Sequence, residues 1–189
     1  MDEKGQLSTE SKINDAEKEV INAIAETMDL YGITPSIGRL YATMYFKRDS
    51  MTLDEMKDEL GMTKPSMSTA VKNLQEINIV RKVWQKGSRK DHFVAEKNFF
   101  NYFGRYFGSK WRREAEINLY AIKQAEYQLQ EIVEDGKVEE DLYERAKLDL
   151  EQLEEYKTYC YWLEKLVDSI ETGEIFDFLP VDHQRSDSK

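Results

Sequence analysis

Apolar residues recur at helical spacing through most of the chain. Ile13, Val20, Ile21, Ile24, Ala25 and Met28 lie on one face of a helix expected over residues 13–31, which Gly32 and Pro35 end. Ser36 is placed to cap a second helix, from about Ile37 to Lys47, with Leu40, Tyr41, Met44 and Tyr45 on one side. Thr52-Leu53-Asp54-Glu55 then has the spacing of a capping box, and Leu53, Met56 and Leu60 give the short helix that follows a single apolar face. Gly61 sits where a chain turns after a helix, with Met62 as an apolar plug. Thr63 is placed to cap the next helix, and Pro65 is tolerated in its first turn. Met67, Val71 and Leu74 face inward on that helix, while Ser66, Ser68, Thr69, Lys72 and Asn73 lie on the other side. A short helix, a glycine turn and a second helix exposing small polar and basic residues form the helix-turn-helix layout.

The period then shortens to two. Residues 80–85 read as a strand, Lys86-Gly87-Ser88-Arg89 as a tight turn and residues 91–95 as the returning strand. A basic-tipped hairpin directly after a recognition helix is the wing of a winged helix. From Lys97 to about Glu134 the pattern is helical again, and 38 residues would span ~57 Å. A turn at Glu134-Asp135-Gly136-Lys137 leads to a second long helix from about Val138 to Glu171, with Leu142, Leu150, Leu153, Cys160, Leu163, Val167 and Ile170 on one side, ended by Gly173. Ile175, Phe176, Phe178 and Leu179 make a short apolar patch before a polar tail.

The expected fold is therefore mainly α: a winged helix-turn-helix domain with a small β-hairpin wing, followed by long C-terminal helices. The segments are a flexible terminus (1–12), the winged domain (13–96), a helical dimerisation domain (97–173) and a tail (174–189). Two long helices with wide apolar stripes need a partner surface, and a second copy is the usual one. In such a dimer the two recognition helices lie about 34 Å apart, on one face of DNA.

Charge sharpens this picture. The 189 residues carry a formal charge of −10, which taken alone argues against nucleic acid. Residues 97–189 hold most of that excess, with 13 basic against 21 acidic side chains. Between 64 and 90, seven basic residues face a single acid, Glu76. Lys64, Lys72, Lys86, Arg89 and Lys90 are the candidate phosphate contacts, and Ser66, Ser68, Thr69 and Asn73 the candidates for base edges or phosphates. Met67 belongs to the same candidate run, although its spacing turns it toward the core. The bland alternative is that the hydroxyls only cap the helix and the cations only meet solvent.

Chemistry of other kinds finds little support. The single cysteine, Cys160, excludes an intrachain disulfide, and its place on an apolar helix face suits a buried small hydrophobe better than a redox sensor. With His92 and His183 the only histidines, no metal site or catalytic triad suggests itself, and no glycine-rich phosphate loop or nucleophile elbow is present, so neither an enzyme nor a bound cofactor is expected. The carboxylates of Asp54-Glu55 and Asp58-Glu59 read as solvated. Without a leader or a membrane-length apolar run, a soluble cytoplasmic protein is expected.

Aromatic residues open a further expectation. Seven of the 13 residues from Phe99 to Trp111 are aromatic, and Phe100, Phe103, Phe107 and Trp111 form one stripe. Such clusters are usually core. An aromatic cage for a quaternary ammonium needs rings turned toward one point. Tyr41 and Tyr45, with Phe103, Phe107 and Trp111 across the joint between domains, are candidates for one, and Tyr159, Tyr161 and Trp162 are a second source of rings.

The runs Ala25–Tyr41 (AETMDLYGITPSIGRLY), Met51–Met62 (MTLDEMKDELGM), Lys64–Thr69 (KPSMST), Val83–Arg89 (VWQKGSR) and Glu174–Pro180 (EIFDFLP) resemble the GbsR branch of MarR-like repressors, over nearly the whole chain. The resemblance implies a homodimeric winged-helix repressor on a pseudo-palindromic duplex operator. It implies control of genes for import of choline and glycine betaine, or for betaine synthesis, and an effector such as choline or glycine betaine. A related branch, OpcR-like, represses a betaine transporter operon. Two alternatives remain open: the same DNA-binding dimer without an effector, and a winged-helix protein-interaction scaffold.

Overall fold

The computed structural model describes residues 8–181, which divide into two compact units between Tyr102 and Phe103. In the first, helix α1 spans Thr9–Leu30 and α2 spans Pro35–Phe46. α1 starts earlier than its apolar pattern because the Ser8 hydroxyl accepts the Ser11 N–H (3.1 Å), so residues 9–12 of the terminus expected to be flexible are helical, while its residues 1–7 lie outside the described residues. In α2, Thr34 takes the cap position expected for Ser36 and makes no side-chain cap bond; Pro35 opens the helix instead, its missing N–H wasting no bond there. Gly38 lets α1 and α2 pack closely, since a Cβ at that position would lie 3.0 Å from the Ala25 Cα. Gly38 and Ala25 are both buried.

Strand β1 (Met51–Thr52) leads directly into α3 (Leu53–Leu60), and α4 (Lys64–Glu76) follows. The capping box forms as expected. The Thr52 hydroxyl accepts from the Glu55 N–H (3.3 Å) and the Glu55 carboxylate accepts from the Thr52 N–H (2.7 Å). That backbone bond, with a second from the Thr52 hydroxyl, favours the ionised carboxylate and lowers the pKa of Glu55. Glu55 is thus committed to the cap rather than simply solvated. Thr52→Ala should destabilise the fold by about 1 kcal/mol, read as a lower urea midpoint at unchanged slope; an unchanged midpoint would show the cap to be idle. Gly61 turns the chain at φ 64°, a left-handed conformation that glycine adopts without Cβ strain, and Thr63 caps α4 by accepting from the Ser66 N–H (3.3 Å).

Strands β2 (Val80–Val83) and β3 (His92–Ala95) form the expected hairpin, with Val80 opposite Ala95 and Val83 opposite His92. The two-residue β1 pairs with the other side of β3, Met51 opposite Phe93, and makes a three-stranded antiparallel sheet in the order β1-β3-β2. This third strand carries no periodicity of its own. The core of the unit joins Leu40 and Tyr41 of α2, Met56 of α3, Met67, Val71 and Leu74 of α4, and Ile79.

The second unit is a helical hairpin. α5 (Phe99–Glu134) begins in the first unit, where the Asn98 side chain accepts from the Phe100 N–H (2.8 Å), and continues through the second. α6 (Glu140–Thr172) returns antiparallel to it, since Gly104 approaches Ile170, Gly108 approaches Val167 and Glu126 pairs with Lys157. Ala115, Ile122, Cys160 and Leu163 form its buried strip, with Trp111, Leu119, Leu153 and Leu166 packed alongside. Leu142 is half exposed and does not join the buried face expected for it, whereas Cys160 is fully buried and desolvation raises its thiol pKa. The apolar patch after Gly173 is a single helical turn, α7 (Ile175–Phe178), rather than part of an irregular tail. His183 lies outside the described residues. No helix among the described residues is long and apolar enough to cross a membrane.

Candidate nucleic-acid interface

One face of α4 is sealed into the core and the other is open. Met67, Ala70, Val71 and Leu74 are buried, while Lys64, Ser66, Ser68, Thr69, Lys72 and Asn73 are exposed. The 3.6-residue period separates the two sets, and it also corrects the candidate run: Met67 is 0% exposed, so it holds α4 from behind and presents nothing to a groove. The Thr63 and Ser66 hydroxyls bond each other at 2.8 Å in the first turn, so Ser66 is partly engaged in the cap.

The turn of the wing is built around Ser88 and His92. Ser88 Oγ lies 2.8 Å from His92 Nε2 and accepts from the Lys90 N–H (3.1 Å). His92 Nδ1 lies 3.1 Å from Ser50 Oγ, and that hydroxyl donates to Gln85 Oε1 (2.7 Å). A buried histidine thus ties the tip of the wing to its base and to the residue before β1. Gly87, at φ 84°, makes the tight turn. Lys86 and Arg89 are exposed and make no ion pair among the described residues.

Four other cations of the patch, Lys64, Lys72, Lys82 and Lys90, are partnered. Lys64 and Lys90 each contact a different oxygen of Asp54, both at 2.8 Å. Those two ammonium groups, Lys64 foremost, bring the Asp54 carboxyl down to about 2. Lys82 pairs with Asp91 (2.7 Å), and Lys72 lies 3.9 Å from Glu76. The local positive charge is therefore offset by three carboxylates rather than one, because Asp54 and Asp91 flank the basic stretch. The sequence pattern does not single out three residues of this face as candidate contacts, although Arg81 counts among its basic residues. Asp54 reads as solvated in the sequence but holds two lysines. Arg81 is exposed and without an ion pair among the described residues. Trp84, 83% exposed beside the wing, shows no periodicity that would mark it.

The candidate ligand rings are distributed over both units. Tyr41 is 0% exposed, stacks on Tyr102 at 5.4 Å and donates its hydroxyl to the Glu96 carbonyl (2.9 Å); burial raises its pKa. Tyr45 packs on Phe99 (5.0 Å) and carries the Lys97 ammonium 5.5 Å from its ring centre. That ammonium donates to the carbonyls of Met44 (2.7 Å), Lys47 (2.7 Å) and Tyr45 at the end of α2, and burial lowers its pKa. In the second unit, Phe103, Phe107 and Trp111 form one cluster with ring centres 5.0 to 6.0 Å apart, and Trp162 is exposed beside Tyr159. No group of three or more metal-binding side chains occurs among the described residues.

A recognition helix with a sealed back, an open polar front and an ordered wing beside it defines a winged helix-turn-helix regulator. A solved structure described as a transcriptional regulator shares the fold, with a TM-score of 0.56 at 15% identity over 84% of this chain and 98% of that one. The chain belongs to the GbsR family of transcriptional regulators, a family of regulators and not of enzymes. Residues 99–177 match that family's C-terminal helical hairpin. The chain is 52% identical, over 90% of its length and 94% of the relative's, to the HTH-type transcriptional repressor GbsR of Bacillus subtilis (strain 168). It is 30% identical to the HTH-type transcriptional repressor OpcR of the same strain, over 89% of this chain and 91% of that one.

Proposed function

We propose that the chain is a cytoplasmic transcriptional repressor that binds a pseudo-palindromic DNA operator as a homodimer and controls genes for import or synthesis of osmoprotectants, choline and glycine betaine among them. The observation that carries DNA binding is the open face of α4 beside a wing whose Lys86 and Arg89 have no ion-pair partner among the described residues. The names of the B. subtilis relatives support repression. Dimerisation is supported by the second unit, which leaves Ile117, Tyr120, Leu148 and Trp162 exposed around a narrow buried strip, more apolar surface than an isolated hairpin usually shows to water.

A quaternary ammonium effector is part of the proposal, with Phe103, Phe107 and Trp111 as its rings. Among the described residues, neither Phe103 nor Trp111 carries a protein cation, whereas Tyr45 does and Tyr41 is closed off. An effector acts only if it binds the DNA-competent and DNA-free states with different affinity. The second reading is the same dimer without an effector, favoured by the way these three rings pack against one another. Fluorescence anisotropy with a duplex from the promoter region of a choline-uptake operon and a mixed-sequence duplex of equal length, with and without choline, tests both. Preference for the promoter duplex together with a choline-dependent change supports the full proposal. Preference without a choline effect supports the second reading, and no binding to either duplex at any salt overturns both.

A further inference from the structure

The Asp54 carboxylate is out of place on a surface that meets DNA. It stands in the first turn of α3, and its two oxygens are shared between the first residue of the recognition helix and the base of the wing tip, with 2.8 Å to Lys64 Nζ and 2.8 Å to Lys90 Nζ. Its neighbour Glu55 is turned away into the capping box, so Asp54 alone receives both ammonium groups. All three groups are solvent-accessible, so nothing in the core requires the arrangement. Two lysines from different elements converging on one pair of oxygens is the geometry that would receive a backbone phosphate.

We propose that Asp54 is a resident competitor for DNA phosphate, a specificity-determining residue that weakens the grip of the winged helix on any duplex by occupying Lys64 and Lys90. The proposal rests on the α4–wing face being the DNA-binding face. To bind a phosphate, either lysine must give up Asp54 or share it with a second anion, which Asp54 repels. The charge that Lys64 and Lys90 bring to the interface is therefore partly cancelled before DNA arrives. Lys86 and Arg89 carry no such burden among the described residues. Sequence-independent binding depends almost wholly on phosphate neutralisation. A carboxylate at this position therefore trims that component while leaving the polar face of Ser68, Thr69 and Asn73 untouched.

The test is a salt titration of full-length wild type and Asp54→Asn against a mixed-sequence duplex. Asp54→Asn should bind roughly tenfold tighter near 0.1 M salt, with a salt slope more negative by about 0.9 for each phosphate newly engaged. Lys64→Gln/Lys90→Gln should weaken binding more in the Asp54→Asn background than in the wild type, a coupling that a merely structural tie would not produce. Equal or weaker binding by folded Asp54→Asn, at unchanged slope, overturns the proposal while wild-type binding leaves the DNA-binding reading standing. Should Asp54→Asn fail to fold, Asp54→Ser takes its place under the same criteria. If the wild type binds no duplex at any salt, both readings fall together.

Discussion

Lys86→Ala/Arg89→Ala should bind duplex DNA far more weakly than the wild type while folding equally well. These two cations at the wing tip have no ion-pair partner among the described residues, so no such bond is lost with them. The turn that presents them is held by Ser88, His92 and Gly87, none of which changes, and surface substitutions of this kind usually alter stability by less than about 0.5 kcal/mol. Binding should respond strongly. Each phosphate contact contributes about 0.9 to the slope of log K against log salt, so each is worth nearly tenfold at ~0.1 M relative to ~1 M. Losing two contacts per protomer should therefore weaken binding by well over tenfold and flatten the salt dependence. Anisotropy titrations at several salt concentrations read both quantities. If affinity and slope match the wild type, the wing does not touch DNA, and the interaction-scaffold reading gains.

Leu74→Ala should have the opposite profile. Leu74 is fully buried on the inner face of α4, and truncating a core leucine leaves a cavity that its surroundings fill only partly. The expected loss is about 2–5 kcal/mol, a large share of the roughly 5–15 kcal/mol that holds a typical domain together. A urea midpoint shifted down at constant slope would show it. Under conditions where the variant remains folded, its DNA affinity should stay close to the wild type, because no exposed residue of α4 has changed. A loss below about 1 kcal/mol would mean that α4 does not depend on this packing.

What the sequence made legible was local. The Thr52 capping box, the left-handed Gly61, the Thr63 cap and the Gly87 turn are each decided within a few residues, and all were readable. The separation of Met67, Val71 and Leu74 from the polar face of α4 was equally plain, which is why the period, and not the position of Met67 within a candidate run, gave the correct account of that residue. The features that escaped reading depend on partners distant in sequence. β1 is two residues long and exists because β3 pairs with it. Leu142 fits an apolar stripe but stays exposed, since periodicity names a face without supplying a neighbour. The Asp54 pairs join α3, α4 and the wing, and a charge window drawn around the basic residues omitted the acid that binds them. The bracing of the wing by His92 depends on Ser50, 42 residues away, which no local pattern supplies.

Lys97 has a consequence for small-molecule recognition. Its ammonium is tethered over the Tyr45 ring and fastened to carbonyls at the end of α2. A group attached by a short linker competes as though present at millimolar effective concentration or above. A dissolved cation approaching Tyr45 must therefore outnumber a rival that never diffuses away, and it has no N–H with which to satisfy those carbonyls if it is fully methylated. Phe103 and Trp111 carry no such tethered ammonium among the described residues, so a cation drawn to their cluster would have no resident rival to displace.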